Sequence, residues 1–297
     1  MNSQIKVAVL LSSYNGEKYI NEQIESIFRQ KDVDVTLFVS DDCSTDSTLE
    51  IVNHLSTKYK INYSKNKINK NFTYNFLDLI YSHLHDDFDY FAISDQDDFW
   101  LDDKLISGIN LLKKNNAHFY CSNLTIVDEN LKNPMMMNNF KVTNFKLSHY
   151  LLENIATGCT VIYDKEYASI LKKYYPNDIY LHDYWLFLVA LSTTKIIYDN
   201  ESHILYRQHE NNLIGGEESF QNYYKNLTHS KMYRKVLFSE LLNGYKDIMD
   251  EHDLADVQTF LNYKISFKSK MRIFFGKKYN SPSRSFLRKI KLLLNKY

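Results

Sequence analysis

Three carboxylates, Asp95, Asp97 and Asp98, occupy four consecutive positions in the stretch SDQDDFW. Ionised neighbours disfavour one another's ionisation, so a cluster like this calls for positive charge: a divalent cation, a basic side chain from elsewhere in the chain, or the water around a surface turn. A hard cation such as Mg²⁺ or Mn²⁺ is commonly held by one or two carboxylates together with a substrate's phosphate oxygens, and Asp95-x-Asp97 after the apolar run YFAI suits that arrangement. A calcium loop of the EF-hand kind is excluded, because its sixth position counted from Asp95 is Trp100 rather than glycine.

The elements that would position these groups can be read from hydrophobic periodicity. IKVAVLL reads as a strand buried on both faces, and the next segment places Ile20, Ile24, Ile27 and Phe28 on one helical face. DVTLFVS, INYSK and DYFAIS read as further strands, with helices over TDSTLEIVNHLSTKY, FTYNFLDLIYSHL and DDKLISGINLLKK. Such alternation predicts an α/β fold with a mainly parallel sheet flanked by helices. Ligands of open sheets bind beyond the carboxyl ends of the strands, where SSYNGE, SDDCSTDST and SDQDDFW should converge on one crevice. Neither GxxxxGK[ST] nor GxGxxG occurs, so a bound phosphate must be neutralised by other means.

VAVLLSSYNGEKYINEQIESIFRQ, SDDCSTDST and ISDQDDFWLDDKL resemble the N-terminal motifs of family 2 glycosyltransferases of the GT-A (Rossmann-like) fold. LHDYWLFLVA and ILYRQHENNLIG resemble the C-terminal half of the bacterial branch that includes many rhamnosyltransferases. The resemblance spans about residues 4–216. It implies a nucleotide-binding set of Ser12, Tyr14, Glu17, Asp42, Asp95 and Gln96, a divalent metal (Mn²⁺ or Mg²⁺) at Asp95 and Asp97 with His209 as a further ligand, and Asp183 as general base. Asp98, Trp100, Gly158, His182, Trp185 and Arg207 are candidate acceptor or phosphate contacts.

Each role has a physical rationale and a competing reading. Tyr14 can stack on a pyrimidine or merely cover the sheet end; Asp42 can accept a base N–H or open a turn, with Asp41 the more structural of the two. Arg207 can offset a diphosphate or pair with an acidic helix. Asp183 can take a proton from an acceptor hydroxyl, with Tyr184 and Trp185 shielding it, or can cap the helix YWLFLVAL. His209 is a ligand or a structural histidine, and Asp98 a ligand-side group or a helix cap. Met135–Met137 read as an apolar loop, and Gly158 as the opening of a strand over NIATGCTVIYDKE.

The expected organisation is a catalytic domain over 1–216, with a nucleotide half 1–115 and an acceptor half 116–216, and a helical extension over 217–297. Eleven of the 36 basic residues and none of the 36 acidic ones lie from Val257 onward. There Phe286, Leu287, Ile290, Leu293 and Leu294 recur at helical spacing, giving a basic amphipathic tail of the kind that lies on anionic lipid. The acidic remainder argues against a nucleic-acid partner. Three scattered cysteines fit a reducing compartment, and no apolar run is long enough to span a bilayer. The resemblance implies an inverting, metal-dependent transfer of a sugar from a nucleotide-diphosphate donor, dTDP-rhamnose first and a UDP-hexose second, to a lipid-linked acceptor in surface polysaccharide (O-antigen or capsule) synthesis, and with the basic tail it implies a place on the inner face of the cell membrane. A nucleotidyltransferase and a non-catalytic sugar-nucleotide binding module are the readings from other classes.

Overall fold

A computed structural model describes residues 4–138, 142, 145–209, 233–279 and 290. Its first half follows the periodicity: β1 (Ile5–Ser13), α1 (Ile20–Phe28), β2 (Val33–Asp41), α2 (Thr48–Ser56), β3 (Ile61–Lys65), α3 (Asn71–His83) and β4 (Tyr90–Ser94). These strands run parallel in the order β3-β2-β1-β4. The period of two divides β1 between the two faces. Val7, Val9 and Leu11 join Ile20, Ile24 and Ile27 of α1 and Val52 and Leu55 of α2 in one apolar cluster, while α3 covers the other face.

Next come β5 (Phe99–Trp100), α4 (Lys104–Asn115), β6 (Phe119–Val127), β7 (Met135–Met136), α5 (Leu147–Tyr150), β8 (Ile162–Asp164), α6 (Lys165–Leu171), α7 (His182–Thr193) and β9 (Ile196–Arg207). Beyond β4 the sheet is mixed: β8 is antiparallel to β4 and β6, β9 is parallel to β6, and the short β5 is antiparallel to β9. Met135 and Met136 form a strand against Ile126 and Thr125 instead of a loop, because β6 offers them a free edge. Gly158 lies in a 3₁₀ turn over Gly158–Thr160, so the strand expected to open there begins at Ile162. Between β6 and β9 the register slips twice: Ser122 and Asn123 face Asp199 and Ser202, and Asn123 and Thr125 face Ser202 and Leu205. β9 thus carries residues that β6 does not match, the signature of a bulge.

The chain forms two compact units, and the division differs from the expected break at residue 216. The first comprises 1–139, 156–172 and 195–208 and holds the whole sheet. The second comprises 140–155, 173–194 and 209–297. It gathers α5 and α7 with α8 (Tyr233–Tyr245), α9 (Glu251–Leu261) and α10 (Phe267–Phe275). Ten of the twelve residues of α7 are buried, and a helix apolar all round must be covered on every side. Trp185 packs against Tyr174 and Tyr245, and Phe187 against Tyr150, which assigns α7 to the helical unit. Of the amphipathic tail positions only Ile290 is described, in a helix; Phe286, Leu287, Leu293 and Leu294 lie outside the described residues.

His203 on β9 reaches Asp103, at the start of α4, through Nδ1 at 3.2 Å and Asp199 through Nε2 at 3.4 Å. The hydrogen bond to Asp199, helped by Asp103 and opposed by burial, holds the imidazole above its ordinary value. A group whose pKa is raised on folding stabilises fully below its unfolded value and ceases to do so as pH rises through the folded one. His203→Gln should therefore lower the melting temperature at about pH 5.5 and progressively less toward about pH 8.5, a convergence measurable by calorimetric scans across that range.

Candidate functional site

The loops after β1, β2 and β4 meet as expected, and backbone groups do most of the joining. The Gln96 amide brackets Tyr14: the Tyr14 N–H donates to Oε1 at 2.9 Å and Nε2 donates to the Tyr14 carbonyl at 3.0 Å. Gln96 is thereby committed to Tyr14's main chain; Tyr14 is 50% exposed, and its ring is available for stacking. A Cβ on Gly16 would collide with that amide, so glycine permits the approach. Asn15, in the left-handed region at φ 47°, accepts from the Thr45 N–H at 2.9 Å, and its own N–H donates to Ser44 Oγ at 2.8 Å. Glu17 accepts the Ser47 N–H at 2.9 Å at the head of α2, a structural tie for a residue expected to touch the nucleotide.

Asp41 and Asp42 divide their work. Buried Asp41 accepts from Ser13 Oγ at 3.2 Å and from the Ser44 N–H at 2.9 Å, fixing the turn. Asp42 accepts from Asn66 Nδ2 at 2.9 Å and from the Lys70 N–H at 2.8 Å, both on Oδ1, so no hydrogen bond among the described residues uses Oδ2. Asn75 on α3 joins these parts: it donates to Ser12 Oγ at 2.7 Å and the Ser40 carbonyl at 2.9 Å, and accepts from Ser40 Oγ and Asn66. Cys43 adopts φ 70°, a left-handed backbone that only the surrounding bonds would hold in a residue with a side chain.

At the end of β4 the three aspartates separate. Asp95 and Asp97 are half-buried, whereas Asp98 is wholly buried and accepts the Arg207 N–H at 3.3 Å. Burial, then Asp97 and Asp95, push the Asp98 carboxyl well above the usual carboxylate range. Asp98 therefore belongs to the interior and does not meet an acceptor. Ligand atoms of Asp95, Asp98 and Cys159 lie within 4.8 Å of one another. The oxygen donors of Asp95 and Asp97 suit a hard divalent cation, which is the fit this strand end offers.

Arg207 takes the second of its two readings. Its Nε donates to the Asp97 carbonyl at 2.9 Å, Nη1 to the Glu129 carbonyl and Nη2 to the Glu22 carboxylate of α1, while its carbon lies 4.6 Å from the Tyr19 ring centroid. It braces the acidic turn from within rather than facing a diphosphate. Trp100 is also buried, under the Lys104 ammonium at 3.8 Å, and Gly158 is buried beside Cys159. Burial pushes Lys104 down to about 8.

In the second unit, Asp183 is the second residue of α7 and half-buried. Leu181 holds the cap position, so Asp183 is not the N-cap, although its Oδ1 accepts the Tyr184 N–H at 2.6 Å. Tyr184 and Trp185 are core side chains; the Tyr184 hydroxyl donates to the Tyr150 carbonyl at 2.8 Å. His182 is buried too, and desolvation pushes its imidazole down to about 3, the neutral form at any working pH. His209 follows β9 by two residues, half-buried, within the second unit.

The glycosyl transferase family 2 model matches residues 8–175, and the chain belongs to that family. It is a nucleotide-sugar-dependent glycosyltransferase. It is 38% identical over 250 residues to the dTDP-rhamnosyl transferase RfbG of Shigella flexneri, covering 80% of this chain and 85% of that one. It is 28% identical over 195 residues to the Escherichia coli UDP-Glc:alpha-D-GlcNAc-diphosphoundecaprenol beta-1,3-glucosyltransferase WfgD, covering 64% and 71%. Its fold resembles that of S. aureus TarS 1-349 in complex with UDP-GlcNAc, with a TM-score of 0.62 at 18% identity over 98% of this chain and 80% of that one. The GT-A architecture expected from the motifs is the one observed.

Gly16→Ala should force the Gln96 amide off Tyr14 and weaken nucleoside-diphosphate binding by roughly tenfold, the worth of one or two neutral hydrogen bonds. Titration calorimetry with dTDP and UDP, beside a melting curve close to the parent's, measures this.

Proposed function

We propose that this enzyme transfers a sugar, with inversion at the anomeric carbon, from a nucleoside-diphosphate donor to a lipid-linked saccharide in O-antigen or capsule synthesis. dTDP-rhamnose is the first donor and a UDP-hexose the second, following the names of the two bacterial relatives. The observation that carries the reading is the joining of Tyr14, Asp42 and the Asp95–Asp98 turn at one end of the parallel strands, in a chain 38% identical to a dTDP-rhamnosyl transferase. The exposed Tyr14 ring stacks on the base, and Asp42 Oδ2 accepts its N–H. A divalent cation held by Asp95 and Asp97 would supply positive charge against the departing diphosphate, in keeping with the mannosyltransferase from Pyrobaculum calidifontis solved with GDP-Man and Mn²⁺, of TM-score 0.56 at 12% identity.

Asp183 is the general base in this reading. A sugar hydroxyl attacks poorly until a placed carboxylate accepts its proton, an assistance worth about 10² to 10⁴ in rate. A donor panel scored for nucleoside-diphosphate release, with and without Mn²⁺, tests the whole: release from dTDP-rhamnose is expected, and no release from any donor with acceptor present overturns it. Asp183→Asn should bind donor like the parent and transfer at least roughly a hundredfold more slowly.

The inner membrane face is the proposed location, supported by α10 and its flanks. Ile265, Phe267 and Phe275 are 85%, 76% and 73% exposed, and Lys264, Lys268, Arg272 and Lys277 are exposed among them. No helix among the described residues is long and apolar enough to cross a membrane. Aromatic side chains that enter the headgroup region beside cations give peripheral binding, about 1 kcal/mol for each basic residue on anionic lipid. Phe267→Ser with Phe275→Ser should shift the protein from pellet to supernatant when sedimented with phosphatidylglycerol vesicles, while transfer to a soluble acceptor analogue persists.

A further inference from the structure

Stacking on Tyr14 and an N–H bond to Asp42 are open to uracil and thymine alike, so neither contact tells one nucleotide from the other. The two bases differ by the C5-methyl group of thymine, which apolar contact recognises. The segment that closes around Asp42 is 64–71, SKNKINKN, and Ile68 is its one apolar residue.

The chain on both sides of Ile68 is bonded to the end of β2. Asn66 donates through its N–H to the Asp41 carbonyl at 2.8 Å and through Nδ2 to Asp42 Oδ1 at 2.9 Å, and its carbonyl accepts the Cys43 thiol at 3.1 Å. The Lys70 N–H donates to the same Oδ1 at 2.8 Å, and Asn69 Nδ2 donates to the Asp42 carbonyl at 3.0 Å. The Lys70 ammonium turns to Asp78 on α3, at 2.6 Å. Two residues of chain span at most about 7 Å, so Ile68 stands within that reach of both residues that bond Oδ1. A base held at N3 by Asp42 carries its methyl close by, since a single ring atom separates N3 from C5. A lone exposed apolar side chain is ordinary on a protein surface. Ile68 differs in being 71% exposed on a stretch whose flanks are tied to the very carboxylate that meets the base.

We propose that Ile68 distinguishes a thymidine from a uridine diphosphate by packing on the C5-methyl of a base whose N–H is held by Asp42 Oδ2. The proposal rests on the reading of Tyr14 and Asp42 as the base's contacts and narrows the donor to thymidine nucleotides. The bonds of Asn66, Asn69 and Lys70 already hold the segment, so little ordering accompanies the arrival of the base and the burial of the methyl is retained as affinity. One methyl group taken from water in this way is worth about fourfold in affinity.

Titration calorimetry with dTDP and dUDP, with Mn²⁺ present throughout, isolates the methyl because the two diphosphates differ in nothing else. The parent should bind dTDP about fourfold more tightly than dUDP. Ile68→Ser should bring dTDP down to the affinity of dUDP and leave dUDP unmoved. Equal binding of the two by the parent, or a preference that survives in Ile68→Ser, overturns the proposal and leaves the pyrimidine contacts standing. Equal weakening of both in Ile68→Ser also overturns it, since a role confined to loop structure moves both alike. Should the serine variant melt below the parent, Ile68→Thr, which keeps the branch and exchanges alkyl for hydroxyl, is read by the same criteria. A parent that binds neither diphosphate, or binds GDP as well as either, overturns the reading of Tyr14 and Asp42 and the proposal with it.

Discussion

Arg207 carries a permanent positive charge on a buried side chain, and much of the first unit's geometry follows from the partners that charge requires. One guanidinium reaches α1 through Glu22, the turn after β4 through the Asp97 carbonyl, and the segment after β6 through the Glu129 carbonyl. Its own N–H meets Asp98. Guanidinium suits this because its donors point in fixed directions within one plane, so the three segments are set relative to one another. Removing the guanidinium would take the donors from the Glu22 carboxylate and from the Asp97 and Glu129 carbonyls at once, and with them the tie between the three segments.

Much of this half was legible in the sequence because it is periodic. Buried parallel strands read as unbroken apolar runs and their covering helices as stripes, so β1 to β4 and α1 to α4 emerged close to their observed bounds. The polar loops at the strand ends were legible for the converse reason, since short clusters of Ser, Asp, Asn and Gly have no place inside such elements. What those clusters could not show was which side chain serves the ligand and which serves the loop. Gln96, Glu17 and Arg207 look available in one dimension and prove to be occupied by backbone groups or a carboxylate in three.

The less legible residues are polar ones on apolar stripes. Asn75 shares the buried side of α3 with Phe76 and Leu79, and Lys104 shares that of α4 with Gly108 and Leu112. A polar residue at a core-facing helical position signals a buried partner, and reading the stripes for such exceptions would have singled out both. α7 was legible as a helix but not in its affiliation. It is apolar all round, and periodicity gives no direction to a helix that is covered on every face. Which residues pack around it depends on segments far away in the chain, Tyr150, Tyr174 and Tyr245 among them.

The bulge in β9 sets where this chain can change length. Along Asp199–Ser202 the strand already runs ahead of its neighbour, and the unmatched residues are accommodated by a local bend. An extra residue there would enlarge an existing irregularity and leave the pairing of Leu205, Tyr206 and Arg207 with Thr125, Ile126 and Val127 intact. The same residue inserted after Leu205 would move the strand by half its side-chain period and turn the guanidinium to the opposite face of the sheet. A spectroscopic tag or short epitope therefore belongs at Asn200–Glu201, where a length difference is absorbed before it reaches the brace.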